Sequence, residues 1–291
     1  MVTIWNETLE AQFTTFRAEL IRLRDVDGRD FLWNGNPEVW KGHSPVLFPI
    51  VGMVPDNIVT INGKDYPLGQ HGFAPLSEFT IVDLARSSCT FRLEADEKTR
   101  NSYPFDFRLD IRYTLSANTL SMAAAITNHS TDVMPFSFGF HPGFCWPLPE
   151  AGARESHFLE FEKTEDSPIR RPLNGLLDPI KYANPIEGRA LPLHDELFEL
   201  GAVMFDEISS RQVRFGTDRG PYLDVRWTNL PHLGIWTKPG ANYLCIEPWQ
   251  GMSALPDFKA ELSQKPGILL LEPGNTQEFA MLVTVVDRPT W

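Results

Sequence analysis

Cysteine is scarce in this sequence, with three in 291 residues, and no two are spaced as CxxC. Cys89, Cys145 and Cys245 form neither an even disulfide framework nor a metal-binding signature, so plain thiols in a reducing compartment are expected. Cationic side chains are also few: 26 lysines and arginines stand against 38 aspartates and glutamates, a net charge of -12. They are scattered rather than gathered into the basic stripe that phosphate backbones require, which excludes nucleic acid as a partner. An acidic chain stays dispersed, and its background field favours a neutral ligand unless a local basic pocket works against it. No run approaches the ~20 apolar residues of a membrane span, and MVTIWNETLEAQF lacks a basic segment followed by an apolar one. The expectation is a cytoplasmic chain with no membrane partner. Internal repeats, low-complexity tracts and sustained helical periodicity are absent too. The segment Phe16 to Arg24, with Leu20 and Leu23 at helical spacing, is read as strand.

Proline and aromatic residues are plentiful, with 24 prolines and 12% aromatics. Proline exceeds its roughly 5% average, which suits many short strands joined by rigid turns. Phe105, Phe107, Leu109, Ile111, Tyr113 and Leu115 alternate with Asp106, Arg108, Asp110, Arg112 and Thr114, the pattern of a half-buried strand. After Ser116-Ala117-Asn118-Thr119 the alternation resumes at Leu120, Met122, Ala124 and Ile126, which predicts an antiparallel hairpin. Leu223, Val225 and Trp227 repeat the pattern, as do Phe279, Met281, Val283 and Val285. Asp27-Gly28, Asn34-Gly35, Asn62-Gly63 and Pro273-Gly274-Asn275 supply turn residues between such runs. Pro142 to Pro149 and Ser167 to Pro192 read as long loops of the kind that carry binding residues. The fold class is all-β, a large antiparallel β-sandwich, as one domain over residues 1–291.

Three segments place an ionisable group among glycine, proline and aromatics: Gln70-His71-Gly72-Phe73-Ala74, Phe138-Gly139-Phe140-His141-Pro142-Gly143-Phe144 and Leu244-Cys245-Ile246-Glu247-Pro248-Trp249. Taken singly, each histidine fits a core or turn residue and the glutamate fits an ion pair. His43, His129, His157 and His194 keep that structural reading. In combination and order the segments resemble the aldose 1-epimerase family, in its bacterial branch of galactose-mutarotase-like proteins. Ala18-Glu19-Leu20, Phe31-Leu32-Trp33-Asn34-Gly35, Pro45-Val46-Leu47-Phe48-Pro49-Ile50-Val51-Gly52 and Leu233-Gly234-Ile235-Trp236-Thr237-Lys238-Pro239 extend the likeness over nearly the whole chain.

The resemblance implies an antiparallel sandwich, a sugar as small-molecule partner, and neither cofactor nor metal. It places the general acid on His141, the general base on Glu247 and a sugar contact on His71. A cyclic aldose opens when a base takes the anomeric hydroxyl proton while an acid protonates the ring oxygen, and reclosure gives either anomer. Carboxylates near pKa about 4.3 and imidazoles near about 6.5 would begin in complementary states. Trp236 and Trp249 could offer flat faces to a sugar ring, with Lys238 as a hydroxyl or anion contact, although core anchoring is the commoner use of tryptophan. Phe140 should point away from His141, into the core.

The chain departs from the branch at three positions. Met53 and Pro75 stand where arginine is usual, and no aspartate lies near Gly201. Each lost charged hydrogen bond removes roughly 1.5–3 kcal/mol of grip. A less polar pocket is expected, and with it a sugar other than a standard hexose. The alternative is a carbohydrate-binding protein without turnover. Glycoside cleavage would need a second carboxylate, which the segments do not supply. A monomer or homodimer is expected.

Overall fold

In the computed structural model, which describes residues 1–287, the clearest alternating run forms the strand Phe107–Ser116. Phe107, Leu109, Ile111, Tyr113 and Leu115 are buried and the residues between them are not, because successive side chains leave a pleated strand on opposite faces. Ala117, in the left-handed region at φ 45°, turns the chain, and Thr119–Asn128 returns antiparallel with Thr119 opposite Ser116 and Asn128 opposite Phe107. The expected antiparallel hairpin is present.

That hairpin lies within an antiparallel sheet of nine strands. From edge to edge they are Ala190–Pro192, Phe158–Phe161, Gln212–Gly216, Tyr222–Thr228, Thr276–Val286, Thr119–Asn128, Phe107–Ser116, Ser88–Glu94 and Thr80–Ala85. A second sheet runs Val203–Phe205, His232–Trp236, Tyr243–Gln250, Phe138–Phe140 and Val46–Leu47, and Gly143–Cys145 also pairs with Tyr243–Gln250. Val2–Trp5, Leu9–Phe13 and Leu20–Asp25 make a third, three-stranded sheet.

Aromatic side chains mark where the sheets meet. Phe138 of the second sheet stacks on Phe279 of the first with centroids 5.1 Å apart, and Phe205 lies 5.5 Å from Phe161. Phe13 of the third sheet lies 4.4 Å from Tyr113. Such ring pairs add about 0.5–1.5 kcal/mol each beyond area burial. One buried apolar cluster reaches from Val2 to Val285, and two smaller ones lie apart from it, around Trp249 and around Tyr243. The fold is an all-β antiparallel sandwich, and no helix among the described residues is long and apolar enough to cross a membrane. The final four residues of the unit expected over 1–291 lie outside the described residues.

Local expectations are corrected at three places. Phe16 to Arg24 is strand only from Leu20, because Arg17 and Ala18 adopt left-handed φ values of 70° and 48° and turn the chain first. Pro142 to Pro149 is not all loop: Gly143–Cys145 carries no proline, so its amides are free to join the second sheet. Ser167 to Pro192 contains the small ribbon Pro172–Leu173 with Leu176–Leu177 and ends in the edge strand Ala190–Pro192.

The left-handed turn is tied to the core by a buried hydrogen bond in which the Tyr113 hydroxyl donates to Ala18 O at 2.7 Å. Tyr113→Phe strands that carbonyl and is expected to lower the unfolding free energy by about 1–2 kcal/mol. The reading is a lower denaturant midpoint at unchanged slope, and an unmoved midpoint would show that the bond contributes nothing.

Candidate active site

Within the second sheet, Phe138 pairs with Gln250 and Gly139 with Trp249, while further along Gly143 pairs with Cys245 and Phe144 with Leu244. His141 and Pro142 bridge these two paired stretches, so residue 141 comes directly opposite residue 247. Proline has no amide to donate, which breaks the ladder at this point. Pro142 O still accepts from Ile246 N at 3.3 Å, and His141 N donates to Pro45 O at 3.1 Å. The outcome is His141 Nε2 at 3.1 Å from Glu247 Oε2, with the two residues 8% and 1% exposed.

Strand alternation sorts the neighbours. Leu244 and Ile246 enter the core between the sheets, as does Phe140, while Cys245, Glu247 and Trp249 share the opposite face. Two glycines shape that face: a Cβ on Gly234 would fall 2.4 Å from the Trp249 ring, and one on Gly139 would fall 2.5 Å from it. Only glycine lets the indole lie across the sheet here. The face is the floor of a cavity of about 570 Å³, within the usual span of small-molecule sites.

His71, His141, Trp236, Glu247 and Trp249 all lie on the cavity wall. Lys238 does not, and its place as a sugar contact is corrected: its ammonium donates to Val39 O and fastens the strand end to the Trp40 segment. Trp40, Trp236 and Tyr243 enclose the His141 side, with centroids of Trp40 and Trp236 at 5.2 and 5.8 Å from the imidazole. His71 stands edge-on to His141 at 5.9 Å. Its backbone is left-handed, at φ 63°, and its Nδ1 accepts from Gly52 N at 3.1 Å. An accepting Nδ1 leaves the hydrogen of the neutral ring on Nε2, as a donor.

Burial reverses the solution states assumed for the acid/base pair. Desolvation, with a smaller push from His71, lowers His141 to about 3, and burial raises Glu247 well above the ordinary carboxylate range. The Trp249 indole opposes the rise at Glu247 without forming a hydrogen bond of good geometry. Burial also lowers His71 to about 4. Burial thus favours carboxylic acid and neutral imidazole over separated charges in this pair, and it works against the ionised Glu247 that solution pKa values suggest.

His141, Cys245 and Glu247 bring three possible ligand atoms within 4.8 Å of one another. The Cys245 thiol is fully buried and its pKa is raised well above the usual value, so a metal would have to displace a firmly held proton.

Comparison with known proteins decides the family. The aldose 1-epimerase family pattern matches residues 1–187. The chain belongs to the aldose 1-epimerase family. Protein LacX (chromosomal) of Lactococcus lactis subsp. lactis is 30% identical over 297 residues, covering 98% of this chain and 99% of its own. A galactose mutarotase related enzyme from Lactobacillus acidophilus superposes with a TM-score of 0.91 at 32% identity, over 99% of this chain and 98% of its own. A galactose mutarotase-like protein from Lactobacillus casei ATCC 334 also reaches 0.91, at 27% identity, over 98% and 100%.

In this member of the aldose 1-epimerase family, the three departures have distinct places. Pro75 and Gly201 line the cavity without a polar side chain, whereas the Met53 sulfur packs where a Cβ on Gly175 would sit. The expected loss of charge from the pocket is corrected, because Arg17 and Lys41 stand on the wall together with Gln70 and Ser253. Sequence reasoning missed these residues. Trp40-Lys41-Gly42-His43 carries the same mixture of ionisable, aromatic and glycine residues as the three chosen segments and could have been found. Arg17 could not, since it is brought in by a turn read as strand.

The burial argument is tested by histidine ring NMR. His141 and His71 are expected to stay neutral, with no titration between about pH 5 and 8, where an unperturbed imidazole changes charge. A midpoint for His141 near about 6.5 would overturn the neutral pair.

Proposed function

We propose that the protein interconverts the α and β anomers of an aldose by general acid/base ring opening, with Glu247 as base, His141 as acid and His71 as a donor near the ring oxygen. The observation that carries this reading is the 3.1 Å contact between His141 Nε2 and Glu247 Oε2 on the cavity floor. One proton serves both groups. A sugar hydroxyl donating to Glu247 favours its anion, and the proton passes to His141. Glu247 then takes the anomeric hydroxyl proton while His141 delivers its own to the ring oxygen as the C1–O bond breaks. The electron pair of that bond goes to the ring oxygen, and C1 becomes the aldehyde carbon.

Ring opening thus converts carboxylate and imidazolium into carboxylic acid and imidazole, the two forms that burial favours. The low-polarity site lowers the energy of the open-chain state and so of the path to it. Rotation about C1–C2 followed by the reverse transfers gives the other anomer. Trp236 and Trp249 supply flat walls for the ring. Glu247 is the only carboxylate among the described residues of the wall, which disfavours glycoside cleavage with its paired carboxyl groups.

Glu247→Gln and His141→Asn are each expected to slow catalysed anomer exchange, read by exchange NMR above the uncatalysed rate, by about 10²–10⁴-fold. Full activity in either variant would remove that residue from the chemistry. Binding of sugars without enhanced exchange by the unmodified protein would favour a carbohydrate-binding protein instead.

A further inference from the structure

The cavity wall carries charge that the chemistry above does not use. Arg17 reaches it from the turn before Leu20–Asp25, and Lys41 from the segment after Trp40. Both are cationic in a chain whose net charge is -12. Glu247 is the one carboxylate among the described wall residues, so the two cationic side chains outnumber it.

Arg17 is incompletely compensated. Its Nε is buried and has no acceptor, and its nearest carboxylate oxygen, Glu19 Oε2, is 3.7 Å from Nη1. Glu19 is occupied elsewhere: its Oε1 accepts from His43 N at 2.7 Å and from Ser44 N at 3.1 Å. Lys41 is exposed and without an ion-pair partner among the described residues. A buried guanidinium donor left open forfeits a charge-assisted bond, and guanidinium stays protonated at any working pH.

The backbone bears a cost for this placement. Arg17 and Ala18 are consecutive non-glycine residues in the left-handed region, at φ 70° and 48°. Such residues cost of order 1–3 kcal/mol each when strained and persist where the surroundings impose them. Here the surroundings are Ser77 O, which accepts from Arg17 N at 2.7 Å, and the Tyr113 hydroxyl on Ala18 O. A regular strand through Phe16 to Arg24 would have alternated past this position; the turn delivers Arg17 to the cavity.

From this geometry we infer that the substrate is an aldose bearing an acidic group, held by Arg17 with Lys41 at the rim. The inference rests on the anomer-exchange reading for the position of C1. Because ring opening needs a free anomeric hydroxyl, the acidic group is carried away from C1. A carboxylate, as in a hexuronate, and a phosphate monoester, as in a hexose 6-phosphate, share anionic oxygens that would accept hydrogen bonds from Arg17. The neutral ligand favoured by overall charge is thereby replaced, because a local cationic wall outweighs a diffuse field that salt screens over about 10 Å.

The experiment measures binding to the Glu247→Gln protein by calorimetry for glucose and galactose, glucuronate and galacturonate, and the two hexose 6-phosphates. Exchange by the unmodified protein is measured with the same six. At least one acidic set is expected to bind about 10-fold or more tighter than its neutral parent, the lower end of a charge-assisted bond of about 1.5–3 kcal/mol. Whichever set prevails identifies carboxylate or phosphate as the group. Arg17→Gln is expected to bring the acidic-to-neutral ratio toward one and Arg17→Lys to restore part of it, a pattern that loss of folding would not produce. Raising salt is expected to narrow the ratio in the unmodified protein. Equal affinity for acidic and neutral aldoses overturns this inference while leaving the epimerase reading intact if neutral sugars are exchanged. An acidic preference in binding with no enhanced exchange of any sugar supports the inference and sinks the epimerase reading; no binding of any of the six overturns both.

Discussion

His141 and Glu247 face each other across one pair of strands, and the surrounding residues leave the pair with its 3.1 Å contact only 8% and 1% exposed on the cavity floor. The core beneath it is formed by Phe138, Phe140, Leu244 and Ile246, and the wall beside it by Trp40, Trp236 and Trp249. Burial makes separated charges expensive, so the neutral acid and imidazole are favoured at rest and the proton crosses to His141 only when a ligand stabilises the carboxylate. In solution the same side chains would be a carboxylate and a titrating imidazole, unable to exchange roles without solvent. The sandwich is what brings two ordinary residues into one buried contact.

The same burial acts on the groups around the pair. Cys245 lies beside Glu247 as a buried thiol whose pKa is pushed up by desolvation. His71 is held in one tautomer by Gly52 N. Arg17 is the exception to neutrality, since guanidinium cannot shed its proton to adapt. Its charge is answered only in part by Glu19, whose main task is to bind the amides of His43 and Ser44. One carboxylate thus positions both the arginine and the segment that leads back from Lys41 to the sheet.

Much of the fold was legible because half-buried strands leave a period of two in the sequence. Phe107–Ser116, Thr119–Asn128, Tyr222–Thr228 and Thr276–Val286 all lie where alternation put them. Phe16 to Arg24 misled because its apolar residues fit several periods and because nothing local announces two left-handed residues at Arg17 and Ala18. Those conformations are imposed by partners at Ser77 and Tyr113, which are remote in sequence. Lys238 misled for a related reason: it lies close to the wall residue Trp236 in the chain, but its long side chain turned back to Val39 O.

By itself the sequence determined the all-β class, the antiparallel hairpin and the three segments that hold His71, His141 and Glu247. These follow from local regularities, since pleat, turn and motif are written within a few consecutive residues. Tertiary structure alone decided that residue 141 sits opposite residue 247, that burial works against charge on both, and that Arg17 lies on the cavity wall although Met53 and Pro75 supply no arginine. Each depends on which distant strands pair and how much water they exclude, and neither quantity is carried by neighbouring residues in the chain.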